Sequence, residues 1–197
     1  MQAQEMMALK PAGESLLKTY LSMNVENLWI AGHHIDWMTG IADRQNVTEG
    51  VSSHCSAFVA AACEIKNIYI LRPPEHSQIL LANAQARWLP SAAAKSRGWH
   101  QIVNNSIIAI YFSAQQYANK GFVVVAVFKS PVENLPGHIA LVRPSKISAQ
   151  SLTDEGPSII MAGTINHNLI SLKMGFKNHI KQWPNADIQF FYNDNSK

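Results

Sequence analysis

The spacing of apolar residues changes character along the chain, and each change marks an element. Over AGESLLKTYLSM, residues 12 to 23, Leu16, Leu17, Tyr20 and Leu21 fall on one side of a helical wheel, which predicts a short amphipathic helix. Residues 31 to 50 show no period and read as a loop carrying the run GHHIDWMTG. From Cys55 to about Lys66 the residues Ala57, Phe58, Val59, Ala60, Ala61, Ala62, Cys63 and Ile65 are almost continuously small or apolar, as expected of a helix buried on most sides. Ser53 is its expected N-cap, and Pro73 and Pro74 prevent any helix from running through IYILRPP. Further helices are expected over HSQILLANAQARWL and from SAQQYAN to Lys120.

Beyond Gly121 the helical period gives way to β-branched runs. FVVVAVFK, GHIALVRP, PSIIMAG and the terminal DIQFFYN read as strands, separated mostly by connections too short to hold a covering helix. Short connections favour antiparallel pairing, and helices followed by strands place the chain in the α+β class. At 197 residues, with 47% of them hydrophobic and neither repeat nor linker visible, the whole of 1–197 is expected to form a single domain.

Composition narrows the function. The net charge of +3 is scattered along the chain and forms no basic stripe, which argues against nucleic acid as a partner. The longest apolar run, GFVVVAVF, is too short to span a bilayer, and the first residues lack the charged and apolar regions of a signal peptide. A soluble protein is therefore expected; cytoplasm and export by a dedicated machine both stay open. Cys55 and Cys63 are separated by about 12 Å of helical rise, too far for a disulfide.

The chemistry concentrates in SSHCSAFVAAAC. A thiol attacks as thiolate, and the N-terminus of a helix favours negative charge, so Cys55 stands where a nucleophile would be placed. Its base is expected to be His138, which follows Gly137 at the start of a strand in LPGHIALV. His33, His34 and Asp36, with His54 nearby, have ligand chemistry without a recognised zinc spacing, and neither a metal nor a cofactor is assigned. His76, His100 and His179 lie in polar surroundings and read as surface residues.

These residues carry a resemblance. HCSAFV resembles the DCSGFV signature of the NlpC/P60 superfamily of papain-like cysteine peptidases and amidases, NIYILRPP its following GI.LPR segment, ANKGFVVVAVF its GDLVFF strand entry, and PGHIALV its GHVGIYV block. The similarity runs from about Asn27 to Gly163 with the blocks in the family's order. It implies a papain-like core, with the cysteine helix packed on an antiparallel sheet. It further implies hydrolysis of amide bonds in peptidoglycan stem peptides or related peptides by Cys55 and His138. The Cys55 amide would be the first oxyanion donor; the second would come from the loop holding His34, Asp36 and Trp37. Trp37 is expected to wall the cleft and Asp36 to bind a substrate amine, with His54 beside them.

Several departures qualify the match. His54 and Ala57 stand where the family has Asp and Gly, and the long interval from Cys55 to His138 implies a helical insertion, mostly 73–118. The family's third polar residue falls at Met161, which cannot orient an imidazole. Asn166 is the first replacement considered, since its amide oxygen accepts without titrating; His167 is the second, and a dyad without a third member is the remaining possibility. The same residues would also suit a binding module that has lost catalysis, or an acyltransferase.

Overall fold

The computed structural model describes residues 6–43, 53–184 and 187–195. They form an α+β structure around a six-stranded antiparallel sheet. The helices are α1 (Pro11–Ser22), α2 (Cys55–Ile65), α3 (Leu81–Trp88), α4 (Ala92–Lys95), α5 (Ile107–Asn119), α6 (Ala149–Glu155) and α7 (Leu172–Gly175). The strands are β1 (Trp99–Gln101), β2 (Val123–Phe128), β3 (His138–Val142), β4 (Ser158–Met161), β5 (His167–Ser171) and β6 (Ile188–Asn193), arranged β1-β6-β2-β3-β4-β5.

Each face of the sheet carries its own core. Alternation along β2 and β3 sends Val123, Val125, Val127, Ile139 and Leu141 to one side, where they pack with α1, α2 and α3. Val124, Ala126, Ala140 and Val142 go to the other, against α5, α6 and α7. With both faces covered, β2, β3 and β4 are buried along their whole length, which accounts for their unbroken apolar runs. β6 pairs with β2 along six residues and sits inside the sheet although it comes last in the chain.

Three expectations need correction. Residues 73–118 are not purely helical, because β1 lies within them and pairs with β6, so part of this segment extends the sheet. The helix expected over HSQILLANAQARWL begins only at Leu81, after Leu80 takes a left-handed conformation at φ 52°. The N-cap of α2 is His54, without a side-chain capping bond, and not Ser53. Among the described residues, no helix is long and apolar enough to cross a membrane.

Candidate active site

Cys55 is the first residue of α2, and the Ile139 amide, from the residue after His138, lies within hydrogen-bond reach of its sulfur. The reason lies in the sheet. The β3–β4 ladder pairs Leu141 with Ile160 and Val142 with Ile159 and stops short of Ile139, leaving the start of β3 open to the start of α2. The backbone amides of Ser56 and Cys55 and the Ser53 hydroxyl also lie close to the sulfur. These four donors favour thiolate, but burial outweighs them and holds the thiol above its ordinary pKa. Cys63 is buried in hydrocarbon farther along α2, and burial pushes its thiol up to about 12. Both cysteines are free.

His138 is delivered by a braced turn. A Cβ at Gly137 would lie 2.3 Å from the Phe128 carbonyl oxygen and 2.5 Å from Asn83 Oδ1, so only glycine allows this approach. Asn83, buried on α3, donates to the Leu135 carbonyl at 2.9 Å and accepts from the Ser130 amide at 3.0 Å, tying both arms of the β2–β3 connection. His138 itself is 4% exposed. It lies on the sheet face of Ala140 and Val142, opposite the face on which α2 packs.

The His138 ring is held by aromatic rings. Phe176 meets it edge-on at 4.6 Å between centroids, and His179 stacks on it at 5.3 Å with 12° between planes. Its Nε2 is buried without a hydrogen-bond partner. Burial, reinforced by His179, lowers the His138 pKa to about 3. The resting groups are therefore a neutral thiol and a neutral imidazole.

Two cavities flank this point, and Ser53 lines both. The larger, about 410 Å³, lies against His138, Met161, His167, Met174 and His179 and has no carboxylate in its lining. The smaller, about 280 Å³, is bounded by His34, Ile35, His54, Gln78 and Ile79. Ser53 thus joins the Cys55 sulfur to the cavity that His138 faces.

Other sequence candidates have different occupations. Asn166 does not orient His138: its Nδ2 donates to the carbonyls of Val25, Leu28 and Trp29, and its Oδ1 accepts from the Gly163 amide. It fastens the β4–β5 turn to the loop after α1. His167 lies opposite Met161 across β4 and β5 and lines the larger cavity without bonding to Nε2 of His138. Asp36 Oδ1 accepts from the amides of Met38 and Thr39 and from the Thr39 hydroxyl, which holds its carboxyl below the usual range. Neither cavity is lined by Asp36 or Trp37; Trp37 packs on the α2-side core with the Arg72 guanidinium 5.9 Å from its ring. His54 does border the smaller cavity, donating through Nε2 to the His33 carbonyl at 2.8 Å.

His34 pairs with Asp43, and no group of three or more His, Cys, Asp or Glu among the described residues is placed to hold a metal ion. His179 is not a simple surface residue: it is half-buried against His138, with Phe128 5.2 Å from its ring. Nothing local in KNHIK signals this, because the contact arises only when α7 folds back and buries Phe176. No protein-family model matches the chain, and no curated protein matches it.

Proposed function

We propose that this protein is a thiol hydrolase that cleaves amide bonds in peptidoglycan stem peptides or related peptides, with Cys55 as nucleophile and His138 as its base. The observation that carries the reading is the buried cysteine at the start of α2, whose sulfur lies near the Ser53 hydroxyl and the amide of Ile139, the residue next to His138. The resemblance of HCSAFV and PGHIALV to the NlpC/P60 blocks supports the same reading. Because thiol and imidazole are both neutral at rest, deprotonation accompanies attack. The Cys55 S–H proton passes to His138 as sulfur bonds to the carbonyl carbon, His138 returns it to the leaving amine, and water releases the acyl group. The Cys55 and Ser56 amides at the helix start are the available oxyanion donors.

The test is digestion of purified peptidoglycan fragments with product masses as readout. Cys55→Ala is expected to abolish cleavage while circular dichroism and melting temperature stay near those of the parent chain. Undiminished turnover in that variant removes the proposal. A second reading, a binding module without turnover, is favoured by the unpartnered Nε2 of His138 and the apolar Met161 where a polar partner belongs. Retention of the fragments by a parent chain that releases no product would establish it.

A further inference from the structure

Among the described residues the buried Nε2 of His138 has no hydrogen-bond partner to fix the ring's orientation, yet the ring is buried among groups that leave it little freedom. We propose that His179, stacked on that ring beside Phe176, is the positioning residue of the Cys55–His138 pair, doing by ring stacking what a hydrogen-bonded third residue would otherwise do. This inference rests on the thiol-hydrolase reading and deepens it.

The geometry supplies the parts. The near-parallel rings of His138 and His179 fix the plane of the imidazole, and Phe176, fully buried beneath α7, fixes its rotation within that plane. His179 is itself held from behind by Phe128, the residue paired with His138 across β2 and β3, and its amide donates to the Phe176 carbonyl at 2.8 Å. Rotation of the His138 ring would require displacing this stack. Asn166, fully engaged with the loop after α1, takes no part.

A stacked imidazole differs from a stacked phenyl ring in one respect: it can take up a proton. The titratable or charged side chains that line the cavity with His138 are His167 on β5 and Lys177 and His179 after α7, with no carboxylate among the described residues of the lining. A proton on His179 therefore meets no counter-charge in the cavity and opposes transfer of the Cys55 proton to His138. His179 should consequently limit the reactivity of Cys55 on the acid side, below the ordinary histidine range, because burial lowers its own pKa.

The full chain can be tested without knowing the substrate. The rate of Cys55 alkylation by iodoacetamide, read by peptide mass mapping from pH 4.5 to 8, is compared among the parent chain, His138→Ala, His179→Ala and His179→Phe, with melting temperatures as a folding control. The expected result is a fall of roughly tenfold at pH 7 in His138→Ala and of several-fold in His179→Ala. His179→Phe should return to within about twofold of the parent at pH 7 and lose less of its rate below pH 6. If His138→Ala slows alkylation but His179→Ala does not, or accelerates it, the inference fails while the pair stands. Indifference to His138→Ala overturns both. A Phe variant as slow as the Ala variant, or with the parent's acid profile, also overturns the role given to His179.

Discussion

At the scale of single residues, His138 shows most plainly the tension between function and stability. Its ring is buried with Nε2 unpaired, an arrangement that stabilises nothing by itself, since an unsatisfied buried polar atom costs about 1–3 kcal/mol. Its depressed pKa also ties folding to pH. The unfolded chain binds this proton near pH 6.5, whereas the folded chain binds it only near 3. Between those values the unfolded state holds more protons, so the contribution is fully present above about pH 6.5 and is lost as the pH falls, at up to about 1.4 kcal/mol per pH unit. Below about pH 3 both states are protonated and the loss stops. His138→Phe, which fills the same space against Phe176 and His179, is expected to raise the urea midpoint and flatten its pH dependence between 6.5 and 5 relative to the parent. An unchanged slope would show that His138 is not buried in neutral form.

At the scale of elements, buried polar side chains decide where loops go. Asn83 brings two backbone groups of the β2–β3 connection to α3, and Asn119 and Gln115 on α5 do the same for the segments around Ser145 and Ser158. Asn83→Ala leaves the Leu135 carbonyl and the Ser130 amide without these partners and is expected to lower stability by about 2–4 kcal/mol in urea unfolding. Faster hydrogen exchange at Ile139, downstream of the loosened turn, should accompany the loss; exchange unchanged there would disconnect the brace from the site. Such bracing was hardly legible in the sequence, where Asn83 and Gln115 are polar letters inside helical patterns. By contrast β2, β3 and β4 were legible, because strands covered on both faces must be apolar almost throughout, and β6 showed itself by its aromatic run Phe190, Phe191 and Tyr192. β1 and β5 were not: WHQ and HNLIS are short and partly polar, lie at the sheet edges and carry no period-two signal.

At the scale of the molecule, the proposed site lies where the sheet opens at one end. β3 and β4 pair only near Leu141 and Val142, α2 enters from one side, and the segment after α7 closes on His138 from the other. Sequence alone could place Cys55 at a helix start and His138 at a strand start, since both are local patterns. It could not separate Asn166 from His179, because the choice depends on which long-range packing carries each to the imidazole. A non-titrating amide oxygen just beyond the strand favoured Asn166, which folding spends on the carbonyls of Val25, Leu28 and Trp29; the contact with His179 depends on α7 turning back over β4 and β5. The central claim is that the Cys55 sulfur and the His138 ring sense each other across the open end of the sheet. Its most direct test is the nitrogen NMR spectrum of the His138 ring in the parent chain and in Cys55→Ala, recorded from pH 4 to 8. The account predicts a neutral ring across that range in the parent and displaced ring resonances when the sulfur is removed. Identical resonances in the two proteins would contradict it.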